Sequence, residues 1–268
     1  MTIAPLVDTH CHLALLEDRG LLQAALNGAE AAGIEAMVTI GVSLADSERN
    51  CRIAEDHPRV WFSVGWDPLQ PRPPDPVELR ELGTLLRHPR AVAVGEIGLD
   101  LCFRPGYHET PLEVQQRSLM SMLELAAVAD KPVVIHDRDA HGEIIEALAE
   151  VSEAHGVMHC FTGDAAHAAR CVARGFAISF SGIVTFARAE AIQEAARQID
   201  QGMYVVETDA PFLAPVPHRG SVNLPERVAD TAAAVARLRG VSDDVVRSDT
   251  VRTARRIFKF GDTLADGL

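Results

Sequence analysis

Leu6-Val-Asp-Thr-His-Cys-His-Leu13 opens the chain with a short apolar run ending in His10 and His12, one residue apart. In an extended strand alternate side chains share a face, so the two imidazoles converge on one point while Cys11 turns the other way. Four later runs repeat the design: A-V-A-V-G-E carries Glu96, K-P-V-V-I-H carries His136, G-V-M-H carries His159, and M-Y-V-V-E-T-D carries Asp209. A lone histidine pair also serves as strand-end polar groups satisfied by hydrogen bonds. Five runs that each end in a suitable donor point instead to a shared metal site.

Between these runs, alanine, leucine and charged residues recur at helical intervals over 112–128, 139–151, 165–174 and 188–198. Strands are expected at 6–10, 36–41, 60–65, 91–96, 133–136, 157–159, 176–180 and 204–207. Eight strands alternating with helices predict an α/β fold, a single (β/α)8 TIM-type barrel over residues 1–268, which typically needs about 250 residues. An open doubly wound sheet is the alternative. Against it, no G-x-G-x-x-G or G-x-x-x-x-G-K-[ST] loop follows any strand, and the candidate ligands come from both halves of the chain. Barrel enzymes build their sites at the C-terminal ends of the strands, so ligands from the first, fourth, fifth, sixth and eighth runs would share one mouth. The proline-rich stretch 67–76 reads as the loop after the third strand. Residues 242–259 read as one further helix closing the barrel, with Arg252, Arg255 and Arg256 on a solvated face.

Composition bounds the function. The chain is 47% hydrophobic, with no uncharged apolar run near the ~18 residues of a membrane span, as expected of a soluble protein. The first strand begins almost at once, without the basic region, apolar segment and cleavage site of a secretory signal, so a cytoplasmic location is expected. Cys11, Cys51, Cys102, Cys160 and Cys171 show no C-x-x-C spacing and read as reduced, packed thiols. The net charge of −13, from 38 acidic and 25 basic residues, gives no footprint for extended binding of duplex DNA. Divalent cations reverse the potential inside one pocket, so only tight, extended binding is disfavoured.

Four histidines, one glutamate and one aspartate supply donors for two ions, with too much nitrogen for a magnesium cage and no need for a thiolate. Imidazole suits zinc, manganese, iron or nickel, and carboxylates also suit magnesium. Two ions sharing a carboxylate would hold a phosphate or carbonyl between them and lower the pKa of a bound water. Hydrolysis is the expected chemistry, with Glu96 and Asp209 as the catalytic candidates. No Ser-His-Asp order or activated cysteine suggests a covalent nucleophile.

The motifs V-D-T-H-C-H-L, G-E-I-G-L-D, V-V-I-H-D-R-D-A, G-V-M-H-C-F-T-G, S-F-S-G-I-V-T-F and E-T-D-A-P-F-L-A-P, then R-G-S-V-N-L-P, resemble the series of the TatD family of metal-dependent deoxyribonucleases over residues 8–225. The resemblance implies a two-metal barrel in which His10, His12 and Asp209 hold one ion, His136 and His159 the other, and Glu96 bridges them. It also implies cleavage of DNA phosphodiesters, often from a 3′ end and often with magnesium; zinc and manganese are the other candidates.

Further positions carry paired expectations. Arg138 shares the face of His136 and holds a substrate phosphate or pairs with Asp100. Glu207 orients a ligand or contacts the substrate, and Asp8 supports the ligands from behind. Arg219 and Asn223 line the pocket, or Asn223 caps the helix starting near Pro225. His57, His88, His108, His141, His155, His167 and His218 are expected in solvent. The family usually has G-V-H-P after the third strand, whereas this chain has G-W-D-P, so Asp67 sits where substrate is expected. Leu101 and Cys102 replace an aromatic pair, and Leu119 and Met122 replace Phe and Gln, which suggests altered substrate contacts around intact metal chemistry. Three functions follow: hydrolysis of accessible or single-stranded DNA ends, hydrolysis of a small phosphoester, amide or lactone, or a barrel subunit with little turnover that binds a partner or nucleic acid end.

Overall fold

A computed structural model of the chain describes residues 4–260 except Pro105; the remaining positions of the expected 1–268 domain lie outside the described residues. Among the described residues, eight parallel strands run in sequence order around one sheet: β1 (Leu6–Cys11), β2 (Ile34–Thr39), β3 (Val60–Val64), β4 (Ala91–Asp100), β5 (Val133–Arg138), β6 (Gly156–Met158), β7 (Phe176–Phe180) and β8 (Tyr204–Val206). Helices connect them: α1 (Leu13–Asp18) and α2 (Leu22–Ala31), α3 (Leu44–Asp56), α4 (Pro76–Leu85), α5 (Leu112–Ala129), α6 (His141–Glu150), α7 (Ala165–Val172) and α8 (Glu190–Gln198). After β8 come α9 (Val228–Arg239) and α10 (Asp243–Phe258). The sheet closes where Asp209 N–H donates to His10 O at 2.9 Å and His12 N–H to Ala210 O at 2.7 Å. The closing seam therefore carries three of the six expected ligands.

Two apolar clusters form the core. The smaller takes side chains from every strand, among them Val7, Val38, Trp61, Ala93, Val134, Val157, Ala177 and Val205, and so fills the barrel interior. The larger lies between the strands and the helices. Helix α10 does close the barrel, at its N-terminal end. Arg255 pairs with Glu35 of β2, Arg256 donates to Gly202 O before β8, and Phe260 packs on Trp61 of β3. Arg252, Arg255 and Arg256 stay exposed, as expected of a solvated face, and Arg252 pairs with Asp249. With that end closed, the opposite end is left as the mouth.

Strand β4 is longer than its apolar run predicts because residues 97–100 continue pairing with residues 135–138 of β5. Gly98, at φ 151°, permits this: a Cβ there would stand 1.9 Å from His136 O. Gly65 does the same for Glu96, whose N–H donates to Gly41 O; a Cβ on Gly65 would meet that oxygen at 2.0 Å and Glu96 N at 2.4 Å. No described helix is long and apolar enough to cross a membrane.

Candidate metal centre

All six expected ligands meet at the mouth. Glu96, buried at the middle of β4, turns one oxygen toward each of two imidazole pairs. Its Oε2 lies 3.7 Å from His10 Nε2 and 4.0 Å from His12 Nε2, while its Oε1 lies 2.6 Å from His136 Nδ1 and 3.5 Å from His159 Nε2. Asp209 Oδ1 completes the first group, 3.6 Å from His10 Nε2 and 3.3 Å from His12 Nε2. His10 and His12 present their Nε2 atoms to one another at 3.3 Å, and Cys11 points away to Val38 O, as strand alternation requires.

Electrostatics favour a cation here. Burial and then the neighbouring His159 hold His10 well below its ordinary range, so at neutral pH its ring stays uncharged and offers a lone pair. Burial opposes charge on Glu96, but His159 and the hydrogen bond to His136 outweigh it and keep the carboxyl well below the usual range. Burial also opposes charge on His12 and His136; the bond to Asp209 lifts the first to about 9, and bonds to Asp100 and Glu96 lift the second to about 10. Protons thus stand where cations would neutralise the carboxylates. The donor set, nitrogen-rich and bridged by one carboxylate, fits two divalent ions: His10, His12 and Asp209 could hold one, His136 and His159 the other, with Glu96 between them.

Groups behind the ligands fix their orientation. Glu207 accepts from His159 Nδ1 at 2.9 Å, Cys160 N at 2.9 Å and Ser179 Oγ at 2.5 Å, and it is fully buried. It therefore orients His159, an expected ligand, and being fully buried it does not line the mouth as a substrate contact would. Asp100, which the sequence reading weighed only as a partner for Arg138, faces His136 Nε2 at 3.1 Å and accepts from Tyr107 OH at 2.8 Å. Its position four residues after Glu96 on one strand was the available signal. Asp8 accepts from Thr208 N and Oγ1, locking β1 to the chain after β8 behind the ligands.

Other expectations fare unevenly. Arg138 extends over the Tyr107 ring with Nη1 4.0 Å from Asp100, partly exposed at the mouth. Asn223 is buried, donating to Thr208 O and accepting from Leu224 N; it braces a loop and neither lines the mouth nor caps a helix. Arg219 is exposed and lies over Phe186 at 4.1 Å, with no contact to the ligands. Asp67 is half-buried, holds Gln70 Nε2 at 2.9 Å and is pushed up to about 7 by burial and by Glu96. Trp66, Cys102, Leu119 and Met122 are buried in the core, so these departures from the family pattern are packing changes. His108 and His167 are also buried, contrary to the expectation of solvent: His167 Nε2 hydrogen-bonds Asp137 at 3.0 Å, and His108 Nε2 lies 3.4 Å from Asp100 between Phe103 and Tyr107. All five cysteines are unpaired.

Comparison with known proteins follows the same line. The family profile described as TatD related DNase matches residues 7–259. The uncharacterised metal-dependent hydrolase YcfH of Escherichia coli (strain K12) is 37% identical over 258 residues, covering 94% of this chain and 95% of its own. The 3′-5′ ssDNA/RNA exonuclease TatD of Enterobacter lignolyticus (strain SCF1) is 32% identical over 235 residues, covering 85% of this chain and 89% of its own. Among solved structures, the TatD homologue YjjV from Escherichia coli K12 superposes with a TM-score of 0.89 at 29% identity, covering 96% of this chain and 99% of that one.

Proposed function

The chain belongs to the TatD-related family of metal-dependent hydrolases, and from that premise we propose that it cleaves DNA phosphodiester bonds at accessible or single-stranded ends, using two divalent ions. The observation that carries this reading is the division of Glu96 between two imidazole pairs, one oxygen to each. Bound ions of the magnesium, zinc or manganese class would polarise the phosphate and acidify a water. The protein's own part is to hold the donors in place: Glu207 and Asp100 fix two rings, and Asp8 and Thr208 fix the seam from which Asp209 projects.

Substrate class rests on three features. The exonuclease relative is named for single-stranded DNA and RNA. Exposed aromatic rings stand on both sides of the mouth, Phe103 and Tyr107 after β4 and Phe212 after β8, the last with its ring 5.9 Å from that of His12. Unpaired bases stack on such rings without sequence preference. Arg138 stands beside Tyr107 as a cation for one phosphate. A second reading, hydrolysis of a small uncharged ester or lactone, is favoured by Asp67, a carboxyl at the mouth that repels phosphate once ionised above about pH 7.

Metal-loaded protein offered end-labelled single- and double-stranded DNA, a generic phosphodiester and a small ester or lactone tests the proposal, with Glu96→Gln as control. Stepwise shortening of single strands, lost in Glu96→Gln, is the expected result. Turnover of the small ester alone would replace the first reading with the second.

A further inference from the structure

On β5 the side chains alternate, so while His136 and Arg138 face the mouth, Asp137 points to the other side of the strand, toward α6 and α7. There it meets His141 at the start of α6 and His167 within α7. Asp137 Oδ2 lies 2.9 Å from His141 Nδ1 and 3.0 Å from His167 Nε2. Cys171, one turn further along α7, puts Sγ 3.6 Å from His167 Nε2. The two imidazoles stack with centroids 4.3 Å apart, and the Phe161 ring stacks on His167 at 5.6 Å. Asp137 Oδ1 is buried with no hydrogen-bond partner among the described residues.

We propose that Asp137, His141, His167 and Cys171 form a second, separate binding site for a zinc-class divalent ion, with a structural role. Two imidazoles, a carboxylate and a thiolate are the donor set such an ion takes in a closed tetrahedral site. With ligand bonds of about 2.0–2.3 Å, tetrahedral geometry separates nitrogen from sulfur by roughly 3.6 Å and nitrogen from oxygen by roughly 3.3 Å. The first matches the observed His167–Cys171 distance, and the second needs the Asp137 contacts to open by a few tenths of an ångström. On binding, the Cys171 thiol proton leaves to solvent, and each ring proton now shared with Asp137 moves to the ring's other nitrogen or to solvent. His141 is partly exposed, which gives the ion a way in. The site would tie the end of β5 to α6 and α7, one residue from His136.

The thiolate makes the site distinguishable from the centre at the mouth, whose donors are nitrogen and oxygen only. Full-length protein loaded with cobalt(II) should show a thiolate-to-metal charge-transfer band in the near ultraviolet. Cys171→Ser should abolish the band, Cys160→Ser should retain it, and His141→Ala should bind one ion fewer than wild type by elemental analysis. His141 sits at a helix start and is partly solvated, so this variant reads out the site even where Cys171→Ser fails to fold. Absence of the band from wild type, its survival in Cys171→Ser, or equal metal content in wild type and His141→Ala would overturn the proposal and leave the cluster as a hydrogen-bonded staple.

Discussion

Glu207 is the residue whose replacement separates orientation of a ligand from stability of the barrel. Its side chain accepts three hydrogen bonds, from His159 Nδ1, Cys160 N and Ser179 Oγ, and none of it reaches solvent. Glu207→Gln keeps the volume. The amide oxygen can still take His159 and Cys160, and the Ser179 hydroxyl can turn to accept from the new NH2, so the hydrogen bonds survive while the negative charge behind His159 is lost. Replacing such a partner typically weakens metal binding 10–100-fold, about 1.4–2.8 kcal/mol. The loss should fall on the ion shared by His159 and His136, leaving the His10–His12–Asp209 ion unchanged. Glu207→Ala strands three donors in the interior at about 1–3 kcal/mol each, so it should also lower the melting temperature. Competition of each variant against a chromophoric zinc chelator, alongside thermal melts, reads the two effects apart. Wild-type affinity for both ions in Glu207→Gln would refute the reasoning, as would an Ala variant melting like wild type.

Four further outcomes are expected. Glu96→Ala should lose more than one ion's share of metal and all turnover while keeping its fold; elemental analysis decides, and retention of both ions would sink the bridging assignment. His12, lifted to about 9, and His136, lifted to about 10, carry protons at pH 7 that a cation must displace. Metal affinity should therefore rise from pH 7 toward 9 by about tenfold per unit for each proton displaced, read as proton release by calorimetry in buffers of different ionisation heat. Asp67→His should tighten single-stranded DNA binding without loss of metal, most clearly above pH 7 where the Asp67 carboxyl, pushed up to about 7, is ionised, because a carboxylate about 4 Å from a phosphate costs roughly 1–4 kcal/mol between water-like surroundings and an effective dielectric of 20; weaker binding with fewer ions would make Asp67 a ligand instead. Affinity for a short single strand should fall only shallowly with salt, with a slope matching about one to three phosphates, and a steep slope would require a basic groove.

The convergence of the expected metal donors was readable in the sequence because a strand fixes its side-chain period. His10 and His12 share a face by alternation alone, and the end of an apolar run marks the end of a barrel strand, where donors from distant segments meet. What escaped the sequence reading depends on contacts that no local pattern encodes. Asp8 is expected behind the ligands, but its partner Thr208, 200 residues away, is not, and the pair joins the first strand to the seam after the last. Loops have no period, so nothing in F-R-P-G-Y-H or P-F-L-A-P foretold which aromatic rings would stand open to solvent. Trp66, Leu119 and Met122 differ from the family pattern as though they touched substrate, but burial shows that they repack the barrel wall.

Asp137 shows why the same period that revealed the ligands also hid a neighbour. In V-V-I-H-D-R, His136 and Arg138 point to the mouth, whereas the face of the residue between them belongs to the helices. A strand end in a closed barrel has two sides, however, and the outer one is covered by the next helices along the chain. Residues on α6 and α7 that face β5 therefore meet Asp137 for the reason that His159 meets His136: each pair is brought together by the parallel order of consecutive β/α units. His141 follows Asp137 by four residues and His167 by thirty, so the outer cluster is assembled from adjacent units, whereas the inner one draws on both halves of the chain. Forming the outer cluster requires only β5, β6 and their helices, and the inner centre requires the whole barrel to close. Loss of the seam through Asp8→Ala should accordingly disperse the mouth ligands while the Asp137 group keeps its geometry, a difference that cobalt spectra of that variant would register as loss of the nitrogen–oxygen centre with the thiolate band retained.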